Sequence, residues 1–297
     1  MGRVRRLGAI VRSTALEVLS EPLTLLLLLA ALVLTVVAPV FHYHQFGEAT
    51  RMARDSGLSA LFTCGSALAV FATIRTFRRE IESGTAEMTL VHPVSRTGFF
   101  LAKTLGATAA VVFFSAIVAA AMVTSVTGAA IGGHLAEKSG DLARIWGPCV
   151  ASGVATILLP LVLGAALNRF ARCRFVLSAL RLALAFALFS AAGFSVLAGP
   201  HELVRLLPPT VALAVFILFL VTVAAAAAVR LKAHAAAAAT GVVVALCLPF
   251  VGNYYLAEAL ANGGSLGWTP VGLAALALMP AVAAFLLLGV RLCREMD

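Results

Sequence analysis

The chain has 297 residues, of which 62% are hydrophobic and only 12% are charged, and its mean hydropathy is +1.03. These values exclude an ordinary soluble globular protein. The formal net charge of +9 is that of many nucleic-acid-binding proteins, but the basic residues follow the pattern of membrane topology, so we expect no nucleic-acid partner.

The N-terminal residues 3–20 are predicted to form an amphipathic helix. Their apolar face follows three- and four-residue spacing through Val4, Leu7, Val11, Ala15 and Val18. Such a helix lies in the inner headgroup region, where Arg5, Arg6 and Arg12 are expected to anchor it to membrane lipids. Pro22 predicts a bend into the membrane. The apolar run that follows has spanning length, so an uncleaved helix is favoured over a signal peptide.

Eight apolar bands follow, each about as long as the ~17–25 residues that a helix needs to cross a bilayer. Thr97 is predicted to cap the third span, and the predicted outer loops (42–57, 127–145, 199–208 and 258–268) are short. The fold class is therefore an all-α polytopic membrane protein with about eight transmembrane helices after the N-terminal amphipathic helix. The bands are Leu23–Phe41, Leu58–Ile74, Thr104–Val126, Trp146–Leu167, Leu177–Ala198, Pro209–Val229, Ala235–Ala257 and Thr269–Val290.

The distribution of basic residues orients these spans. With the N-terminus in the cytoplasm, 17 of the 22 Lys and Arg residues fall on the inner side. This bias predicts a multi-pass protein of the bacterial inner membrane with both termini in the cytoplasm. If two bands were re-entrant, Arg230 and Lys232 would lie outside and the split would be 15 to 7, so eight spans are favoured. Arg181 lies near the end of its band and is expected to reach the headgroups.

A charged island, Arg75–Lys103, separates the second and third bands. It carries five of the 22 basic residues and three of the 13 acidic ones, so it must lie outside the hydrocarbon. The second span is predicted to continue into the cytoplasm and to end at Gly84. Thr85–Val91 then forms a short helix that Pro93 stops, because the residue before proline is disfavoured in a helix.

The island contains the elements Glu80-x-x-x-Gly84-Thr85-x-Glu87, Pro93-x-x-Arg96 and Lys103-x-x-Gly106. With the amphipathic helix and the first hairpin of spans, they resemble type-2 ABC transporter permeases over residues 1–126. The resemblance implies the membrane-spanning permease subunit of an ATP-driven exporter. It also implies two partners, a soluble ABC ATPase subunit that binds ATP and magnesium, and a second permease copy, identical or a related paralogue.

The resemblance divides a single transmembrane domain (1–297) into an elbow helix (1–21), the first hairpin (22–74), a coupling loop (75–103), the remaining spans (104–290) and a cytoplasmic tail (291–297). Lys103 is expected to anchor at the headgroups, like Arg181. The loop residues implied to form the interface with the ATPase are Glu80, Gly84, Thr85, Glu87, Pro93 and Arg96.

The sequence carries no motif for chemistry of its own. It has no GxxxxGK[ST], so the chain is not expected to hydrolyse ATP. Its five cysteines are scattered without ligand-like spacing, and we expect no catalytic, cofactor or metal site. Two alternatives to a permease are a scaffold for the maturation of an exported enzyme and a membrane-embedded lipid-modifying enzyme. A neighbouring reading frame that encodes a P-loop ATPase favours the permease over both.

Overall fold

The computed structural model describes residues 2–41, 49–82, 95–139, 142–172, 174–261 and 267–294. The predictions for Gly84, Thr85, Glu87 and Pro93 lie outside the described residues. Within the described ranges the regular structure is entirely α-helical, without a strand. The helices are α1 (Gly2–Ser20), α2 (Pro22–Phe41), α3 (Ala49–Glu82), α4 (Arg96–Ser139), α5 (Leu142–Ala171), α6 (Phe175–Ala198), α7 (Pro200–Arg230), α8 (Ala233–Ala261) and α9 (Trp268–Arg294).

The all-helical, membrane-like fold class is confirmed. Across the described residues, six helices are long and apolar enough to cross a membrane, or seven if α1 and α2, which meet at a bend, count as one span. Each of the eight apolar bands lies within one of the helices α2–α9. The number of eight spans stays a prediction.

The helices are longer than the apolar bands, and the predicted outer loops are correspondingly shorter. Residues 49–57 belong to α3, 127–139 to α4 and 200–208 to α7. Helix α3 has 34 residues and α4 has 44. The physical reason is that hydropathy marks only the apolar middle of a helix, whereas backbone hydrogen bonding continues through the flanking polar turns.

The N-terminal amphipathic segment is helical over Gly2–Ser20, close to the predicted range. Its residues Thr14 and Val18 are buried, while the predicted anchors Arg5, Arg6 and Arg12 are exposed. The helix ends at a bend at Glu21, and Pro22 begins α2, where its missing N–H costs no hydrogen bond. Its placement in the headgroup region stays a prediction.

The start of α4 differs from the prediction by two residues. Ser95 is the cap, because its Oγ accepts a hydrogen bond from the backbone N–H of Gly98 at 3.2 Å. Thr97, which was predicted to cap this span, already lies inside the first turn. Ser95 immediately precedes Arg96, the first helical residue. From this position its hydroxyl accepts a hydrogen bond from a backbone N–H that has no partner within the helix.

The chain divides into two compact units. Unit 1 comprises Met1–Val18, Ser66–Val112 and Ala214–Asp297, and unit 2 comprises Leu19–Gly65 and Phe113–Leu213. In unit 2, α5 and α6 form a hairpin in which Gly164 lies directly against Ala179. Unit 1 contains both helix ends that flank the charged island.

Candidate functional site

The charged island connects the C-terminal end of α3 to the N-terminal end of α4. We call the described residues nearest to it, 76–82 of α3 and 95–106 of α4, the loop root. All of them belong to unit 1. The loop root contains three residues with predicted roles, namely Glu80, Arg96 and Lys103.

Lys103 is the most unusual side chain of the loop root. It lies two turns into α4 and is only 1% exposed. Its Nζ lies 2.7 Å from Oε1 of Glu80 and donates a hydrogen bond to the carbonyl oxygen of Thr76 at 3.0 Å. The structure thus places Lys103 inside the protein and joins α4 to α3, whereas the sequence placed it among the lipid headgroups.

The neighbours of Lys103 along α4 explain this position. Phe99, Phe100 and Ala102 are all buried, so Lys103 lies in a part of α4 that packs against other helices. A lysine in such a position cannot extend to the membrane surface, and it needs a counter-charge where it is. Glu80 supplies that charge, although the sequence assigned Glu80 to the ATPase interface.

Aromatic rings surround the ammonium group. Its nitrogen lies 5.8 Å from the ring centroid of Phe77 and 5.7 Å from that of Phe99. Both distances are within the range of cation–π attraction. The ring of Phe77 also contacts Phe100, with centroids 5.5 Å apart. These rings shield the ammonium group from water, which strengthens its electrostatic attraction to Glu80.

Helix α1 packs against the loop root at two points. A Cβ atom added at Gly106 would lie 2.6 Å from Cβ of Thr14 and 2.8 Å from the carbonyl oxygen of Val11. Only glycine therefore allows α1 and α4 to approach this closely. Nearby, Nη1 of Arg79 lies 3.2 Å from Oε1 of Glu17, in a pair whose arginine is 66% exposed. That exposed pair contributes little stability by itself.

Helices α7, α8 and α9 complete the core of unit 1 around Phe100, which is fully buried. The alanines of α7 have no side chain beyond Cβ, so other helices can approach them closely. The thiol of Cys293 in α9 donates a hydrogen bond to the carbonyl oxygen of Arg96 at 3.7 Å. The residues that share this apolar cluster with Phe100 include Ile74, Phe77, Ala224, Ala225, Ala228, Ala236 and Cys293.

The sequence identified part of this site and missed part of it. It singled out Glu80, Arg96 and Lys103, and the structure places all three in the loop root. Arg181, at the start of α6, is exposed, so its side chain is available for the predicted headgroup role. The sequence missed the contributions of Phe100 and of α9. The one local signal was Lys103 itself, a lysine among buried aromatic and small residues.

The loop root is held together by ion pairs. Among the described residues, no group of three or more His, Cys, Asp or Glu side chains is placed to hold a metal ion. The charges of the loop root pair with one another: Lys103 with Glu80, and Arg78 with Glu82 at 2.9 Å. The arrangement fixes α3, α4 and α1 relative to one another where the charged island begins and ends.

Comparisons of this chain with known proteins add no family. A scan against protein-family models, a search of curated proteins and a search of solved structures each found no match.

Proposed function

We propose that this chain is the permease subunit of an ATP-driven ABC exporter of the type-2 class. In this proposal it works as a dimer, with a second identical or related permease and with soluble ATPase subunits that bind ATP and magnesium. The membrane is the bacterial inner membrane, with both termini in the cytoplasm. Two things support the proposal: the motifs of the charged island, and the long apolar helices that the island separates.

The observation that carries the proposal is the ion pair between the buried Lys103 and the partly exposed Glu80. A loop that is merely solvated and positively charged has no need of such a pair at its base, because burying the lysine costs desolvation energy. A loop that transmits force does need a rigid base, since otherwise its displacement would only stretch the loop. The pair provides that base by joining α3 to α4 on either side of the island.

In this mechanism, closure of the ATPase dimer displaces the short helix that the sequence predicts at Thr85–Val91. Because the loop root is held together, the displacement reaches α3 and α4 as a joint tilt of both helices, which opens the translocation path. Gly84 permits the turn that precedes the short helix, and Glu87 contacts the ATPase. The energy comes from hydrolysis in the partner subunit.

The test is a pull-down, with permease variants, of the P-loop ATPase that this proposal expects the neighbouring reading frame to encode. Glu87→Ala and Gly84→Val should each weaken co-purification or uncouple hydrolysis from transport. Loss of one partner of a buried, hydrogen-bonded charge pair at an interface typically costs about 2–5 kcal/mol. Membrane insertion should be unchanged, because neither residue belongs to an apolar band.

Glu258→Ala is the matched control, since it also replaces a glutamate by alanine but on the predicted outer side. It should leave co-purification and hydrolysis as they are. If Glu87→Ala and Gly84→Val both behave like Glu258→Ala, the island is only a positively charged loop and the permease proposal fails.

A further inference from the structure

The last helix of the chain, α9, contacts the loop root through its C-terminal end. A Cβ atom added at Gly289 would lie 2.3 Å from Cζ of Phe100 and 2.9 Å from both of its Cε atoms. The helix backbone therefore rests directly on the phenylalanine ring. One turn further, Cys293 is buried and its thiol donates to the carbonyl oxygen of Arg96, the first residue of α4.

The middle of α9 has a different environment. No residue from 272 to 288 is buried, and leucine and methionine side chains such as Leu276, Met279 and Leu287 are exposed. A Cβ atom added at Gly272 would meet no atom within 4 Å. The buried residues of α9 are thus confined to its two ends, at 270–271 and 289–293, among the residues whose side chains the structure describes.

Pro280 lies within this unburied stretch, on the N-terminal side of Phe285 and Gly289. It lies inside α9, where proline removes one backbone hydrogen bond and makes a helix easier to bend. The segment on its C-terminal side is held by α7 as well as by α4, since the rings of Phe285 and Phe219 meet edge to face with centroids 5.9 Å apart.

We propose that the C-terminal part of α9, residues 281–293, is an additional transmission element that moves as one body with the loop root, with Pro280 as the point of bending. The source of the displacement rests on the proposed function, in which the ATPase moves the island. Phe100 is the contact through which α4 drives α9, because it is fully buried and touches both Phe77 and Gly289.

The first experiment measures hydrogen exchange on the permease alone, in lipid nanodiscs, for the variants Gly289→Leu and Gly272→Leu. Leucine is a better helix former than glycine, so neither variant weakens α9 through helix propensity. In Gly289→Leu the new side chain displaces Phe100. We expect exchange of the backbone amides of both 96–103 and 77–82 to rise at least about fivefold, the smallest effect expected from overpacking a well-packed core.

Gly272→Leu should leave exchange in both segments unchanged, since its side chain enters open space. If Gly289→Leu raises exchange only within α9, then α9 does not move with the loop root and the proposal is wrong. If Gly289→Leu does not accumulate in the membrane, Gly289→Ala introduces the Cβ atom alone and tests the same contact.

The second experiment adds the ATPase from the neighbouring reading frame. Gly289→Leu should lower the rate of permease-dependent ATP hydrolysis, because the displaced Phe100 no longer links α4 to α9, while co-purification with the ATPase stays intact. Unchanged hydrolysis would contradict a transmission role for α9. A separate result would contradict the permease function itself: Glu87→Ala and Gly84→Val would then have no effect on co-purification.

Discussion

At the scale of single residues, Lys103 shows that the position of a charge on a helix decides its role. Hydropathy and the positive-inside pattern treat it as one of many lysines and arginines near the cytoplasmic face. The structure places it beneath Phe77 and Phe99, with Glu80 and the carbonyl oxygen of Thr76 as its partners. The net contribution of such an ion pair to protein stability is small, but removing one of its two residues is strongly destabilising, because the other charge loses its counter-charge.

Lys103→Met should therefore destabilise the protein by about 3 kcal/mol, the lower end of the range for breaking a buried pair. The lower end applies because Glu80 is 27% exposed and retains contact with water. The double variant Lys103→Met with Glu80→Leu should recover most of this loss, because no buried charge remains without its partner. Denaturant unfolding in detergent measures both free energies.

The control for this pair is Arg79→Met. Its partner is Glu17, and the pair is largely exposed, so the change should cost no more than about 1 kcal/mol. A loss in Lys103→Met as small as that in Arg79→Met would show that the ion pair does not hold the loop root together.

At the scale of helices, the approach of α1 to α4 depends on one glycine. The resemblance pointed to Gly106 only as part of the pattern Lys103-x-x-Gly106. The structure gives a physical reason, since a side chain at this position would enter the space of Thr14 and of the backbone at Val11. The motif thus combines two contacts of α4 within one turn. Lys103 joins α4 to α3, and Gly106 leaves room for α1.

Gly106→Leu should push α1 away from α4 and cost about 1–3 kcal/mol, as is typical of overpacking. Because the obstacle includes backbone, a rotamer change cannot relieve it. We expect faster hydrogen exchange along residues 11–20 and a lower thermal unfolding midpoint. Gly8→Leu is the matched control within α1, since a side chain there meets nothing within 4 Å, and it should leave both measurements unchanged.

At the scale of the whole molecule, the number of membrane crossings is the largest prediction that remains open. The described residues show six helices of spanning character, or seven with the bent pair α1 and α2, against eight apolar bands in the sequence. Helix α8 is the element on which the count depends, since only its shorter apolar part, Ala233–Cys247, falls within the described side chains. If α8 crosses the membrane together with the bent pair α1 and α2, the number of spans is eight.

Cysteine labelling in intact cells tests this topology. In a background without the native cysteines, a cysteine at Gly140 should react with a membrane-impermeant thiol reagent, and a cysteine at Lys232 should not. Lys232 is exposed between α7 and α8, so protection there would come from the membrane barrier and not from burial. Labelling at Lys232 from outside would overturn the eight-span topology.

The sequence by itself determined the all-helical, membrane-like fold class and the approximate location of every described helix from α2 to α9. Hydropathy and helical periodicity are sums over neighbouring residues, so they need no knowledge of the tertiary structure. The same local character explains the differences: most of the apolar bands, though not those of α2 and α6, end before their helices do, and the cap of α4 is at Ser95 instead of Thr97.

The tertiary structure alone decided how the loop root is held together. Lys103 and Thr76 are 27 residues apart, and Cys293 and Arg96 are 197 residues apart. Contacts over such separations depend on which helix faces pack against each other, and that choice is made by the shapes of many side chains together. Gly289 is one of 24 glycines in the sequence, and only the position of Phe100 against it gives this glycine a role.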